Sequence, residues 1–406
     1  MQIPKPFLGG VAGAFVLLQL LFLANMSYLY GSAYHDSYRI SSMNVLFVDY
    51  DQGVIGESVA AAYSQMQGDS FPTLRQHPPS EYPSQYSIRQ AVCEGHFWGA
   101  IYANPGASSR LSSALSSPDV AQTYDSSQAL TYVWNGVKYA SYAQIISSSL
   151  QMLAHAATGA YQQINGTKAM GAVDTLNPAI AHTLLNPIAA SSIDIKPTNQ
   201  GVRFYYNTVS MVMPILQQFF FIMALNGLTA EFGVVLRTMS LRGSIVLRLT
   251  LSVLYTFIAA LCMTGYIWGF REAWAVTGGQ FALTWMAIWL VMHLNFLLID
   301  AVTSVLPMKF MPFAILTWII INVSSTIGPF DLSPGFYRLG YALPAYELYQ
   351  LLLDIWTEGC NPPLYRELPI LFAWWVVGFV AFLAGMRKRV LAARADYVET
   401  RRTDKA

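Results

Sequence analysis

Between Arg203 and Glu231 the chain runs for about 27 residues without a formal charge, and about 20 apolar residues suffice to cross a bilayer. This stretch, FYYNTVSMVMPILQQFFFIMALNGLTAEF from Phe204 to Phe232, therefore predicts a membrane span. It is not a plain lipid anchor, because Gln217, Gln218 and Asn226 lie inside it. Each amide is costly in hydrocarbon unless it faces other helices or water. The span also divides the chain: one apolar segment and a long polar region precede it, and mostly apolar sequence follows. Charged residues make up only 11% and hydrophobic residues 54%, whereas a soluble chain carries about 25% charge. The fold class expected is a polytopic α-helical membrane protein with six transmembrane helices and a large extracytoplasmic α/β domain between the first two. Its constant partner is the lipid bilayer. A net charge of +1 with no basic stripe gives no footing for nucleic acid.

Residues 1–6 form a short head, and residues 7–30 are the first apolar run. That run is longer than the roughly 7–15-residue core of a signal peptide, so it reads as an uncleaved anchor. Residues 31–202 are the polar region. Asn44 to Asp51 reads as a strand and turn, Ile55 to Gln67 as a helix, and Phe71 to Pro83 as a Pro-rich connector. A short helix over Tyr86 to Gly95 and a strand over His96 to Ala103 follow, the strand stopped by Asn104-Pro105-Gly106. The β-α-α-β order suggests the start of a small α/β domain. Ala129 to Tyr139 offers another strand and Ala140 to Ile164 a long helix, with Pro178 to Pro197 an extended return to the membrane. Residues 204–386 supply five more spans, near 204–230, 245–270, 281–302, 307–327 and 369–386. Within this membrane domain, residues 341–356 (YALPAYELYQLLLDIW) are amphipathic and short, as expected of a helix lying at the outer interface or re-entering the membrane.

Positive charge orients the spans. Arg237, Arg242 and Arg248 follow the second span. The basic tail of residues 387–406 contributes Arg387, Lys388, Arg389, Arg394, Arg401, Arg402 and Lys405. Six spans place both termini in the cytoplasm and residues 31–202 outside. Arg248 would then snorkel to the inner interface, and Tyr205, Tyr206, Trp268, Trp274, Trp356 and Trp374 would form an outer aromatic belt. Asn165-Gly166-Thr167 is a glycosylation acceptor on the outer domain, whereas the sequons at Asn25 and Asn322 lie in or at spans. Cys262 falls in an apolar span and reads as a small buried hydrophobe. Cys93 and Cys360 would both lie outside, where a disulfide and two separate thiols are equally open readings.

Catalytic signatures are missing from the sequence. It has no P-loop, H-E-x-x-H or G-x-S-x-G pattern, so no enzyme, metal or cofactor is expected. Asp49 and Asp51 have a spacing that could hold a divalent cation, but ending a strand and starting a turn is the plainer role. His35 and His155 have no evident sequence partner. The candidate substrate path is Gln217, Gln218, Asn226, His293, Asn295 and Asp300. His293 and Asp300 are seven residues apart and share one helical stripe; the competing role for all six is hydrogen bonding that holds the bundle together. Asp300 could equally sit at the inner surface near Lys309.

NVLFVDYDQGVIGESV after the first span, CEG ahead of FWGAIYANPGAS, NPIAASSIDIKPTNQGV before the second span and QQFFFIMALNGL within it carry a wider likeness. With the one-plus-five layout, the chain resembles the membrane subunits of type-2 ABC exporters and the bacterial phage-infection-protein family. It is most similar to the fungal nitrosoguanidine-resistance membrane proteins. The resemblance covers nearly the whole chain but transfers no binding residue. It implies a multipass plasma-membrane protein that confers resistance to toxic compounds, by exporting an amphiphilic toxin, metabolite or lipid. It further implies a homodimer and a separate ATPase as partners. The alternative is a non-transporting membrane protein that alters lipid distribution or regulates another transporter.

Overall fold

The computed structural model describes residues 5–172, 177–232, 239–361 and 364–403. Arg237 and Lys405 lie outside them. The chain divides into two compact units, one of residues 35–199 with 357–362, the other of residues 1–34, 200–356 and 363–406.

The first unit is built on a five-stranded sheet in the order β2-β1-β3-β4-β5. Its strands are β1 (Asn44–Asp49), β2 (Thr73–His77), β3 (Gly99–Ala103), β4 (Leu130–Trp134) and β5 (Ala190–Asp194). All neighbours are parallel except β3 and β4, which run antiparallel. β1 and β3 are buried nearly throughout, as strands covered on both faces must be. On one face, Leu46, Val48, Ala100 and Tyr102 pack with Ile88, Ala91 and Val92 of α3 (Gln85–Cys93). Alternation turns Val45, Phe47 and Ile101 to the other face. There α6 (Ala140–Tyr161) lies so close that a Cβ at Gly99 would meet Ile146 and Leu150 at 2.8 and 3.0 Å. α2 (Val54–Met66) packs beside α6. Ser84 begins α3 with a reciprocal capping box, and Gly95, at φ +77°, turns the chain out of it.

Two segments of this unit differ from the sequence expectation. The Pro-rich connector contains β2, whose TLRQH lacks apolar alternation because it is a half-covered edge strand. The extended return after Pro178 is instead a helix, Pro178–Leu185, followed by β5. Asn177 starts that helix by accepting from the Ala179 amide at 3.0 Å, and Pro178 occupies its first turn. Cys93 and Cys360 are joined by a disulfide with Cα atoms 4.3 Å apart, across a sequence separation of 267. Both sulfurs belong to the α3-side core.

The second unit is helical. Beyond α1 (Lys5–Ser32) it contains Val209–Glu231, Leu241–Gly269, Gly278–Thr303, Met311–Ser324, Pro344–Trp356 and Leu364–Thr403. Numbering α2 to α8 along the first unit (α4 Ala107–Ser116, α5 Pro118–Thr123, α7 Thr167–Ala172, α8 Pro178–Leu185) makes these α9 to α14. Among the described residues, five helices are long and apolar enough to cross a membrane: α1, α9, α10, α11 and α14. The span expected over 307–327 is shorter than a crossing. α12 has 14 residues, roughly 21 Å of helix against a hydrocarbon core of about 30 Å. A 3-10 turn, Met308–Phe310, precedes it.

α11 is the central post, buried over 61% of its most apolar window and packed by α9, α10, α13 and α14. α14 approaches it closely because Gly378 and Gly385, two turns apart, leave room. A Cβ at Gly385 would lie 2.8 Å from Ser304 Oγ, and one at Gly378 3.3 Å from Leu297 Cβ. The outward faces stay apolar and uncovered, with Phe15 at 64% and Ile258 at 59% exposed, which suits helices bathed in lipid. Cys262 is on such a face and is exposed rather than buried.

Of residues 341–356, Pro344–Trp356 form α13, which is buried along nearly its whole length. Its ends are served by neighbours. Asn322 Oδ1 accepts from Ala345 N at 3.1 Å, and Gln280 Nε2 donates to the Ile355 and Trp356 carbonyls at 2.9 and 3.0 Å. Those bonds satisfy terminal groups that would otherwise require water. The six aromatics expected in an outer belt do not share one environment. Tyr206, Trp274 and Trp356 are buried and pack against one another with ring centroids 5.0–5.5 Å apart, whereas Tyr205 is 55% exposed.

Candidate functional site

Polar side chains inside the helical unit gather in separate places. Near the C-terminal end of α11, Asp300 is 1% exposed and faces two arginines, Arg248 of α10 and Arg389 of α14. Arg248 Nε donates to Asp300 Oδ1 at 3.1 Å, and its Nη2 donates to both Oδ1 and Asn226 Oδ1. Arg389 Nη1 donates to Asp300 Oδ2 at 2.9 Å, while its Nη2 reaches the Asp300 carbonyl and Thr303 Oγ1. Arg248 therefore does not snorkel to an interface; it is buried against a carboxylate. Lys309 does not supply the partner for Asp300. The geometry joins Asn226 and Asp300 through Arg248, and Arg389 is a member that its place in a basic tail had concealed.

His293 is held elsewhere. Trp375 Nε1, which can only donate, lies 2.9 Å from Nδ1. The ring proton must then be on Nε2, 3.2 Å from Ser252 Oγ, and Ser252 passes its own hydrogen to the Leu249 carbonyl at 2.8 Å. This fixes a neutral imidazole, since a proton on Nδ1 would set two N–H groups against each other. Asn295 is two residues on and points to another side of α11. Its Oδ1 accepts from Trp318 Nε1 and its Nδ2 donates to the Val291 carbonyl, both at 2.9 Å. Gln218 is fully buried, and neither amide atom has a hydrogen-bond partner among the described residues; the same holds for Gln217 Oε1. Of the six expected path residues, Asn226 and Asp300 share one cluster through Arg248, while His293 and Asn295 are bonded elsewhere.

Trp318 also walls an apolar groove of about 230 Å³. Leu298, Ile299 and Val302 of α11, Ala314, Ile315 and Trp318 of α12, and Trp374 of α14 line it. The two indoles meet edge to face with centroids 5.6 Å apart, and Trp374 Nε1 donates to the Ala342 carbonyl just before α13. Two turns nearer the start of α14 lie Arg366 and Glu367. Glu367 is 1% exposed, Glu347 of α13 is 0% exposed, and no carboxylate oxygen of either has a hydrogen-bond partner among the described residues. Arg366 Nε is 3.4 Å from Glu347 Oε1, an ion pair not aligned as a hydrogen bond, and its guanidinium also lies over the Tyr341 and Tyr346 rings. Burial pushes the Glu347 carboxyl up to about 7, with Arg366 opposing the rise. The apolar pattern of 341–356 had drawn attention to the helix, but not to the glutamate within it.

In the sheet unit, Asp49 Oδ1 accepts from the Asp51 and Gln52 amides at 3.0 and 2.9 Å. Asp51 accepts from Ser108 N and Oγ at the start of α4. The two carboxylates thus make a turn and a helix cap. Burial is the larger effect on Asp49 and raises its pKa. Among the described residues, no group of three or more His, Cys, Asp or Glu side chains is placed to hold a metal ion. His35 packs against Tyr38 with tilted rings and centroids 5.4 Å apart, and His155 is exposed on α6. Asn165 sits in a π-helical turn, donating to Tyr161 Oη at 3.2 Å.

Residues 14–380 match a family described as "Protein of unknown function (DUF3533)". The chain belongs to that family. Its similarity to a yeast protein, the uncharacterized endoplasmic reticulum membrane protein YJR015W of Saccharomyces cerevisiae, is 25% identity over 186 residues. That match takes in 44% of this chain and only 36% of the yeast protein's length. No solved structure matches. The five long apolar helices and this membrane relative together make this DUF3533 chain a polytopic helical membrane protein.

Proposed function

We propose that this DUF3533 chain exports an amphiphilic toxin, metabolite or lipid from the membrane and so confers resistance to toxic compounds. The observation that carries the reading is the apolar groove between α11, α12 and α14. At about 230 Å³ it is smaller than the roughly 300–1,000 Å³ typical of sites for drug-sized ligands. It suits the apolar part of an amphiphile, with the polar part lying elsewhere. Gln218 adds support: a buried amide left unpaired costs about 1–3 kcal/mol and is a ready partner for a polar group in transit. The resemblance to nitrosoguanidine-resistance proteins favours the plasma membrane. The disulfide favours an oxidising compartment for the 35–199 unit, and the basic residues near the second span and tail favour cytoplasmic termini. Energy would come from a separate ATPase or from an ion gradient, with a homodimer as the working form by analogy with type-2 exporters.

A second reading is favoured by the bonding of four expected path residues. Asn226, His293, Asn295 and Asp300 all have protein partners, as they would in a static bundle that organises lipid or regulates another transporter. Accumulation of a fluorescent amphiphile in cells with and without the protein separates the two. Export predicts lower accumulation with the protein, and a return to control level when Ala314→Trp fills the groove or Gln218→Ala removes the amide, at normal abundance. Equal accumulation with and without the protein overturns export. Depleting ATP and collapsing the proton gradient, in separate arms, identify the energy source.

A further inference from the structure

The carboxylates at the start of α14 are buried without donors, and that arrangement calls for a ligand. Glu347 and Glu367 are 0% and 1% exposed, and their four oxygens lack hydrogen-bond partners among the described residues. Glu367 feels the negative charges of Asp354 and Glu347. Asp354 lies seven residues after Glu347, on the same stripe of α13. The nearby cation is Arg366, whose side chain is 36% exposed and whose pairing to Glu347 is loose. Two ionised carboxylates here would leave a net negative charge in a site whose nearby donor, Arg366, is not aligned on Glu347 as a hydrogen bond, which is costly.

Among the described residues, Arg366 is the cation that acts on Glu347 and Glu367. α12 carries no titratable side chain. The α9 sequence has Glu231 at its far end. On α11, His293 is occupied by Trp375 and Ser252, and Asp300 by Arg248 and Arg389. Tyr341 and Tyr346 face Arg366, and Arg338 and Asp331 act on Tyr341 from the preceding segment.

We propose that Glu347 and Glu367 form a proton-binding site that holds an exchangeable proton. A proton requires no cavity, and it removes the charge of an acceptor-only carboxylate that has no aligned donor. Deprotonation releases H⁺ to water past the partly exposed Arg366 and leaves both carboxylates charged. The site does not depend on the export reading; where that reading holds, this is the proton that would couple transport to a gradient, in place of His293.

The test is infrared difference spectroscopy of the purified full-length chain in lipid nanodiscs, titrated across roughly pH 5–9. The expected result is a protonated-carboxyl C=O band at low pH that disappears as pH rises. Glu367→Gln and Glu347→Gln should each abolish or displace it, whereas Asp119→Asn, on the sheet unit, should leave it unchanged. Gel filtration and thermal melting verify that each variant is folded. In a variant that fails to fold, the deuterium shift of the wild-type band and its insensitivity to Na⁺ serve as the second measurement. Absence of the band, its persistence in both folded glutamate variants, or a wild-type band removed by Na⁺ overturns the proposal. Because the readout is protonation and not flux, it can fail while amphiphile export stands, and the reverse.

Discussion

The two ends of α14 solve the same problem with opposite signs. Near its C-terminal part, two cations, Arg248 and Arg389, share one anion, Asp300, and their donors are aimed at it, at Asn226 and at Thr303. Near its start, two anions, Glu347 and Glu367, have one loosely paired cation, Arg366. Some 22 residues separate Glu367 from Arg389, roughly 33 Å of helix. Each cluster carries one unit of excess formal charge. Guanidinium groups can spread their excess over several neutral acceptors, whereas carboxylates cannot donate at all unless protonated. The first cluster is therefore complete as protein, and the second is complete only with a bound proton.

The sharpest way to break this comparison is Asp300→Ala. It leaves two buried arginines facing each other and is expected to cost about 3–5 kcal/mol, read as a large fall in melting temperature and yield. A variant as stable as the wild type would mean that the arginines find other partners. The Cys93→Ser, Cys360→Ser pair comes next. It cuts the tie that anchors residues 357–362, which join α13 to α14, and should cost about 2–4 kcal/mol. Limited proteolysis should then cleave the 35–199 unit faster, and an unchanged digest would speak against the tie's structural role.

Trp318→Phe removes the indole donor from Asn295 and should cost about 1 kcal/mol, with weaker amphiphile retention as its functional sign. The smallest cost belongs to Glu347→Gln, because Arg366 can turn to water. This variant instead reports pH. Burial raises the folded-state pKa of Glu347 from the ordinary carboxylate range to about 7. Its contribution to stability is therefore fully present below the unfolded value and lost as pH rises through about 7. Wild-type melting temperature should fall across that window, and Glu347→Gln should flatten the fall; parallel curves would contradict the assignment.

Much of the fold was legible because uncharged runs have few structural outlets. The span at α9, the strand NVLFVD and the helix of residues 140–161 all follow from apolar length or period. What was not legible depended on neighbours. β2 is an edge strand without alternation, and its pairing with β1, not its composition, makes it a strand. The amphipathic pattern of α13 is the same whether its polar side meets water or other helices; Asn322 and Gln280 decide the matter by capping it inside the protein. Asp300 was legible as a polar residue in a span, but its partners lie 52 and 89 positions away. Glu367 stands in the sequence as one more charge ahead of an apolar run. Only its burial sets it apart.

Photolabelling would reveal whether the groove of α11, α12 and α14 holds the apolar part of an amphiphile. The purified chain in nanodiscs would be irradiated with an amphiphile carrying a photoreactive group in its tail, and the labelled residues mapped by peptide sequencing. The account predicts label concentrated at Ala314, Ile315, Trp318 and Trp374, competed by unlabelled amphiphile and lost in Ala314→Trp. Label spread evenly over the lipid-facing side chains of α1 and α10, with no competition, would contradict it.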